Sequence, residues 1–263
     1  DVVIDVPPES QVHKQVVRKA ATARDIVMDP ATRLHFVEVA QPDMHEPTGD
    51  FERLSRALAA QWGIQGVTAA PDLLARLQPA LRKGGWQVTV AVHRDHTGAA
   101  PRVIEVWPGL HEGGIYGLAI DLGSTTVAAH LVDLVDGRVL TSGGMMNPQI
   151  RFGEDLMSRV SYAMMNPGGD REMCTAVREA IDALTGELAG EAGIAPELVV
   201  EAVIVCNPVM HHLLLGIDPV ELGQAPFALA TSDSISAGCA DIGLTAPNSR
   251  ARCYILPCIA GHV

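Results

Sequence analysis

The fold is decided by the stretch Gly117-Leu-Ala-Ile-Asp-Leu-Gly-Ser-Thr-Thr-Val-Ala-Ala-His-Leu-Val-Asp133. An apolar strand ends in an acid, a tight glycine turn follows, and hydroxyl residues open the next strand. Gly123 has no side chain, so a ligand can approach its backbone closely. The neighbouring N–H groups and the hydroxyls of Ser124 and Thr125 can bind phosphate oxygens. The stretch therefore predicts a phosphate cradle built on a β-hairpin.

Asp121 stands at the end of the first strand of this hairpin, and Thr126 adds a further hydroxyl to the turn. A carboxylate in this place can hold Mg²⁺ through the metal's water shell or orient an attacking water. The alternative is an ordinary β-turn whose acid only accepts the turn's own hydrogen bonds. Three closely spaced strand signals, at 116–121, 125–134 and 138–142, favour the cradle.

Charge and composition exclude several classes of protein. The chain has 263 residues, with 19 Lys+Arg against 31 Asp+Glu, and its net charge of −12 repels the backbone of nucleic acids. No apolar run reaches the ~18 residues of a membrane span. The lysines are Lys14, Lys19 and Lys83, so a Walker-type loop or a Schiff base is excluded after residue 83.

The cysteines are odd in number and show no C-x-x-C spacing. This usage predicts buried thiols of a cytoplasmic protein rather than a disulfide framework or a cluster cradle. They are Cys174, Cys206, Cys239, Cys253 and Cys258.

The chain divides near residue 114, because the pattern of predicted elements changes after Gly113 and Gly114. Residues 1–31 read as a linker and residues 32–113 as a small α/β middle domain, and a second domain covers 114–263. In the small domain we expect a strand at 34–39, a helix capped by Asp50, a second helix from 71 to about 84, and a hairpin of 86–93 with 102–107. In the second domain the hairpin is followed by helices at 154–165, 171–192 and 209–215 and strands at 202–206 and 253–256. Both ends of the chain look cut, so we expect a piece of a longer protein.

Several polar residues have both a structural and a functional interpretation. Asn207 ends a predicted strand, where it either faces a bound nucleotide or caps the next helix. Glu154 and Asp155 begin a helix, where acids are favoured electrostatically, and a place near the magnesium is the alternative. His211 and His212 are adjacent on a helix and point about 100° apart, so they do not converge on a metal and are predicted to lie on the helix surface.

The hairpin and its turn resemble the first phosphate motif of the actin-like ATPase superfamily, which includes actins, sugar kinases and heat-shock chaperones. Further segments narrow the resemblance to the ATP-dependent reductive activators of corrinoid proteins. They occur in the order found in that family and extend over essentially the whole chain. These segments are Ile4-Asp-Val-Pro-Pro-Glu-Ser-Gln-Val-His, Val37-Glu-Val-Ala-Gln-Pro-Asp-Met-His, Asn147-Pro-Gln, Arg151-Phe-Gly-Glu-Asp and Cys206-Asn-Pro-Val-Met-His-His-Leu-Leu-Leu-Gly-Ile-Asp-Pro.

The resemblance implies an α/β fold, in which a small α/β middle domain precedes the first subdomain of an actin-like (ribonuclease H-like) ATPase fold. It also implies that the complete protein carries an upstream [2Fe-2S] ferredoxin-like domain and the second half of the ATPase. Such a protein transfers a low-potential electron to the Co(II) corrinoid of a methyltransferase-type partner and restores Co(I), driven by ATP hydrolysis. A cytoplasmic homodimer is implied as well, and the piece alone is expected to be inactive.

The resemblance also assigns roles to single residues. Asp121 is expected to hold Mg²⁺ through water or to orient the attacking water, and the turn from Gly123 to Thr126, with Ser124 and Thr125, is expected to bind the phosphates of ATP. Asn207 is a further candidate for nucleotide contact. Gly261 is the first glycine of a second phosphate loop, at which the sequence stops. Because an actin-like site needs both lobes, this piece should bind ATP weakly or not at all.

Two other functions remain open from the sequence. The first is a different actin-like phosphotransferase, such as a small-molecule kinase or a dehydratase activator. The second is a non-catalytic docking module in which the phosphate turn is only structural. The helix at 154–165, with Leu156, Val160, Met164 and Met165, is predicted to be a packing element rather than a corrinoid surface.

Overall fold

The structure, a computed structural model, describes residues 27–258. Gly261 and the motif at 4–13 lie outside these residues. The described chain forms a mixed α/β architecture with one four-stranded and one six-stranded sheet.

The four-stranded sheet has the order β1-β3-β4-β2 and carries two helices. Strand β3 is antiparallel to both β1 and β4, which confirms the expected hairpin of β3 and β4, and the short β2 runs parallel to β4. Apolar side chains on one face of each helix pack on the sheet, because they recur at three- and four-residue spacing. The elements are β1 (Thr32–Glu38), α1 (Asp50–Trp62), β2 (Thr68–Ala69), α2 (Pro71–Lys83), β3 (Gln87–His93) and β4 (Arg102–Pro108).

The expectation that Asp50 caps α1 is wrong. Asp50 is the first residue of the helix, and Gly49 occupies the cap position without a side-chain hydrogen bond. The carboxylate of Asp50 instead pairs with Arg53 and Arg82, and it lies at the helix end where negative charge is favoured.

The six-stranded sheet has the order β7-β6-β5-β8-β10-β9. Strands β5, β6 and β7 form an antiparallel meander, and β5, β8 and β10 run parallel. Two sheets that carry helices confirm the expected α/β fold class. The strands are β5 (Tyr116–Leu122), β6 (Thr126–Asp133), β7 (Val139–Met146), β8 (Val199–Cys206), β9 (Ile235–Gly238) and β10 (Arg252–Ile255).

Three helices belong to this second sheet: α3 (Leu156–Met165), α4 (Gly169–Ala192) and α5 (Pro208–Leu215). Helix α4 packs against β6, β7 and α5. In β5 the apolar side chains Leu118, Ile120 and Leu122 face the core, and alternation along the strand places Asp121 on the opposite face, where it is exposed. The face opposite the helices is therefore the one that presents the predicted catalytic acid.

The expectation that His211 and His212 lie on a helix surface is wrong, because both are fully buried in α5. This short helix is apolar around nearly its whole circumference and has no solvent face that could carry them. The His212 ring accepts the N–H of Ala230 at Nε2 (3.1 Å), so its Nδ1–H donates to the carbonyl of Pro208 (2.9 Å). Burial lowers the pKa of both histidines.

The expected packing role of α3 holds for only part of the helix. Val160 is buried and Leu156 packs against the core, but the side chains of Met164 and Met165 are exposed. The helix ends at Met165, so these two residues extend past the surface that the core covers.

The two sheets contact each other through a small apolar cluster and a set of buried polar groups. Ala91 and Ile104 of the first sheet pack on Ile115 and Val200 at the edge of the second. Beside this cluster, Glu201 of β8 accepts hydrogen bonds from the main-chain N–H and the hydroxyl of Thr32 at 3.1 and 2.9 Å.

Candidate functional site

The predicted phosphate cradle is the connection between β5 and β6, at the carboxyl ends of the parallel strands. β5, β8 and β10 all end at this edge of the sheet, and Leu122 lies beside Cys206 at the ends of β5 and β8. Open α/β sheets bind their ligands at such an edge. The structure thus brings the turn at 123–125 and Asn207 to one side of the sheet.

Gly123 is required by the turn itself. Its N–H donates to the carbonyl of Thr126 at 2.9 Å, and a Cβ on residue 123 would lie 2.8 Å from that same oxygen. The φ of Gly123 is outside the left-handed region, so close approach and not backbone strain excludes a side chain here.

The carbonyl groups of this turn all point into the protein, where three groups bind them. Asn147 donates its Nδ2–H to the Gly123 carbonyl (2.8 Å) and its main-chain N–H to the Thr125 carbonyl (2.8 Å). The Ser124 carbonyl accepts from the guanidinium of Arg159. The turn is therefore anchored through its acceptors.

Anchored carbonyls fix the direction of the neighbouring N–H groups. In a planar trans peptide the C=O of one residue and the N–H of the next point in opposite directions. Within the described part of the chain, the N–H groups and hydroxyls of Ser124 and Thr125 have no hydrogen-bond partner. The N–H groups therefore point away from the protein side of the turn and, together with the hydroxyls, are available to an anion, as a phosphate cradle requires.

Asn147 itself is held firmly. It is 1 % exposed, and its Oδ1 accepts the main-chain N–H of Gln149 at 2.9 Å. Gln149 in turn donates its side-chain amide to the carbonyl of Met173 on α4 (2.9 Å). The Asn-Pro-Gln segment, which was noted in the sequence only for its resemblance, therefore connects the phosphate turn to the helical layer.

Asp121 precedes the turn by two residues on the open face of the sheet. Strand pairing places it opposite Ala128 of β6 and Val205 of β8. Among residues 27–258 there is no cluster of three or more acidic, histidine or cysteine side chains that could hold a metal directly. A single carboxylate beside a phosphate cradle fits a magnesium ion whose other ligands are water and phosphate oxygens.

Asn207 caps helix α5, since its Oδ1 accepts the main-chain N–H of Met210 at 3.0 Å. Its side-chain NH₂ has no partner among the described residues and lies at the ligand-binding edge of the sheet. The structural interpretation of Asn207 is thus observed, and its contact with a nucleotide stays a prediction.

The acids that begin α3 are also accounted for locally. Asp155 caps the helix by accepting the N–H of Ser158 at 2.7 Å, and the hydrogen bonds from Ser158 lower the pKa of its carboxyl. Glu154 precedes it and is exposed.

The cysteines nearest the site carry no thiolate at neutral pH. Burial, together with nearby Cys258 and Asp121, raises the pKa of Cys206 to about 12. A hydrogen bond with Cys239 and burial raise the pKa of Cys253. The described cysteines are all unpaired, as the sequence led us to expect.

Arg159 is the residue of this site that the sequence interpretation missed. It lies on the buried face of α3, next to Val160, and is 0 % exposed. The available signal was a basic residue three positions after Leu156, within the apolar face of the helix.

None of the described helices is long and apolar enough to cross a membrane.

Two family models match the chain. The model described as the RACo linker region matches residues 21–113, and the model described as the RACo middle region matches residues 116–263. Together they follow the same order as the two sheets of the structure.

Individual proteins show the same relationship. The chain is 32% identical over 163 residues to the corrinoid activation enzyme RamQ of Eubacterium limosum, an alignment that covers 62% of this chain and 27% of RamQ. It superposes on the structure of a reductive activator for corrinoid, iron-sulfur protein with a TM-score of 0.82 and 29% identity, over 98% of this chain and 42% of that one. The structure of an archaeal actin homolog is 13% identical over 67% of this chain and 68% of that one, and superposes with a TM-score of only 0.29.

The chain spans less than half the length of both corrinoid-related proteins. The middle-region model alone covers more than half of the chain, and its match contains the phosphate turn, Asn147, Arg159 and Asn207. The chain therefore belongs to the RACo family, of which it contains the linker and middle regions.

Proposed function

We propose that this chain supplies the first nucleotide-binding subdomain of an ATP-dependent activator that reduces a corrinoid protein. The observation that carries the proposal is the phosphate turn, whose carbonyls are anchored inward and whose donors at Ser124 and Thr125 are free for an anion. Membership of the RACo family supports this reaction class, because RamQ is a corrinoid activation enzyme and the similar solved structure is a reductive activator for a corrinoid, iron-sulfur protein.

In this proposal the electron comes from a [2Fe-2S] domain elsewhere in the complete protein and converts Co(II) to Co(I) on the partner. ATP is hydrolysed to ADP and phosphate, and this hydrolysis drives the unfavourable electron transfer. The partner is a corrinoid protein of the methyltransferase type, and the activator works in the cytoplasm as a homodimer.

The residues of this chain would divide the nucleotide chemistry between them. The N–H groups and hydroxyls of the turn would bind phosphate oxygens and fix the chain of phosphates. Asp121 would hold the water shell of Mg²⁺ and orient the water that attacks the terminal phosphorus. When bound, the magnesium ion would neutralise charge that develops on the phosphates.

The direct test is phosphate release by the complete protein with MgATP, with and without a corrinoid partner in the Co(II) state. We expect slow hydrolysis that increases when the partner is present, because one carboxylate and one metal provide little acid–base assistance. Hydrolysis in neither condition would exclude the ATPase assignment and would favour the docking module.

A further inference from the structure

Arg159 is a completely buried arginine that has no acidic partner. Its side chain is 0 % exposed, and within the described chain no carboxylate forms an ion pair with it. The nearest acid that affects it electrostatically is Asp155, whose carboxylate is engaged in capping α3. Burial lowers the pKa of Arg159, but a guanidinium remains charged at any physiological pH.

The guanidinium is held by neutral groups only. Its Nε donates to the carbonyl of Gly153 at 2.9 Å, and one terminal nitrogen lies 3.4 Å from Oε1 of Gln149 and 3.3 Å from the sulfur of Met210. The other terminal nitrogen donates to the carbonyl of Ser124 in the phosphate turn. Buried charges are normally paired, so a positive charge with neutral contacts alone is an exception that needs a reason.

The contact with Ser124 determines where one phosphate donor points. The carbonyl of Ser124 and the N–H of Thr125 belong to the same planar peptide and face opposite ways. With the carbonyl bound to Arg159 inside the protein, the N–H of Thr125 faces the open edge of the sheet. Asn147 binds the carbonyls of Gly123 and Thr125. The peptide groups on either side of the Ser124–Thr125 peptide therefore also point their carbonyls into the protein.

We propose that Arg159 is a positioning residue of the phosphate turn and that the phosphate groups of the bound nucleotide provide its missing counter-charge. It sets the direction of the Thr125 N–H, and its positive charge lies directly behind the turn, in a place where water cannot screen it. This inference rests on the proposed function, because it requires the turn to bind the phosphates of ATP.

The test uses the complete protein and measures the affinities of ATP, ADP and AMP by competition against a labelled ATP. Arg159→Met keeps an unbranched side chain of similar length but removes the charge and the donors. We expect ATP affinity to fall at least about 30-fold, the size of a lost charged hydrogen bond, and AMP affinity to change less than about 3-fold. A residue that only maintains the fold would weaken all three nucleotides by one common factor.

Two further variants keep the result interpretable. Arg159→Lys retains a positive charge but cannot bind the Gly153 and Ser124 carbonyls with one planar fork, so we expect it to recover part of the ATP affinity. Arg178→Met is the matched control, because Arg178 also donates to a carbonyl, that of Leu214 at 3.0 Å, away from the turn. ATP affinity in this control should stay within about 2-fold of wild type.

The outcomes separate the inference from the proposed function. If wild-type protein binds ATP and Arg159→Met binds it equally well, the inference is overturned and the proposed function stands. An equal loss for ATP, ADP and AMP also overturns it. If Arg159→Met does not fold, the comparison of ATP with AMP in Arg159→Lys decides in the same way. Wild-type protein that binds none of the nucleotides would overturn both.

Discussion

The side chains of Arg159 and Arg250 are both largely covered by the protein, but in opposite electrostatic surroundings. Arg250 lies where the second domain meets the first, and its guanidinium binds Glu105 at 2.7 Å, Asp72, and the carbonyl of Ile104 at 2.6 Å. Arg159 lies behind the phosphate turn and binds none of the acids within residues 27–258. One buried charge is thus compensated within the protein and the other is not.

The difference indicates what each region is built for. At the contact between the domains, Glu105 also binds Arg76 (2.7 Å) and Asn248 (3.0 Å), so that its charge is satisfied several times over. Such a network holds two parts of a chain in one geometry. Behind the phosphate turn, the uncompensated charge raises the free energy of the empty site and favours the arrival of an anion.

The largest effect on stability should follow from breaking the compensated region. Arg250→Met leaves Glu105 buried with only part of its partners, and removing one member of a buried ion pair costs about 3–5 kcal/mol of unfolding free energy. Urea unfolding of the complete protein measures this loss. The same substitution at an exposed pair is the control: Arg138→Met, beside Asp136 at 3.9 Å, should change stability by less than about 0.5 kcal/mol.

A small effect of Arg250→Met would contradict the comparison. It would mean that the domain contact does not depend on pairing Arg250 with acids. The lack of such a pair at Arg159 would then not distinguish the phosphate turn from the domain contact. Equal losses for Arg250→Met and Arg138→Met would lead to the same conclusion.

The domain contact should also make stability depend on pH. His93 binds the Thr32 hydroxyl (2.9 Å) in the interior, and burial, with a smaller contribution from Arg252, lowers its pKa to about 4. Between pH ~6.5 and ~4 the unfolded chain therefore binds more protons at this position, so stability decreases as the pH falls through this range. At about 1.4 kcal/mol per pKa unit, the loss over these ~2.5 units reaches at most about 3.5 kcal/mol.

Two acids near His93, Glu201 and Asp95, also influence how stability depends on pH. Burial raises the pKa of Glu201, which acts with the opposite sign and reduces the net loss, and Asp95 lies 3.9 Å from the ring. His93→Asn keeps a donor for Thr32 and removes the titration. Unfolding measured from pH 7.5 to 4.5 should be less pH-dependent in this variant, and an unchanged profile would show that His93 is not responsible.

The smallest effect is expected from a substitution of Asn207, which lies at the same edge of the sheet as the phosphate turn. Asn207→Asp keeps the cap of α5 but replaces the free NH₂ by a negatively charged oxygen at the ligand edge. Stability should stay within about 0.5 kcal/mol, since aspartate caps as well as asparagine. If the side chain faces the phosphates, ATP affinity should fall about 10-fold, and unchanged affinity would leave Asn207 as a helix cap alone.

The sequence was informative where its pattern was regular. An apolar strand that ends in an acid is followed by a glycine turn and a second strand, and the hairpin of β5 and β6 forms where that pattern predicts it. Strand β9 is only four residues long and is not predicted from the sequence; it forms at the edge of the sheet by pairing with β10. Its existence depends on a neighbour that is distant in the sequence.

The missed features of the site have a common physical origin. His211, His212 and Arg159 are polar residues inside the protein. Since polar side chains are mostly exposed, a sequence alone leads one to expect them at the surface. The carbonyl of Ser124 that explains Arg159 is 35 residues away, and no local pattern reveals this contact. The cradle could thus be predicted from its own residues, and its support from α3 could not.

We propose that the phosphate turn and Asp121 couple ATP hydrolysis to corrinoid reduction, and a variant of the complete protein at Asp121 can test this. Asp121→Asn keeps the size of the side chain and removes the charge that would hold the waters of Mg²⁺ or orient the attacking water. Reduction is followed by the loss of the Co(II) absorbance band of the partner in the presence of MgATP. We expect ATP affinity within a few-fold of wild type and a rate of Co(II) reduction that is lower by ~10² or more, as for the loss of an interaction made in the transition state. Reduction at the wild-type rate would contradict the account.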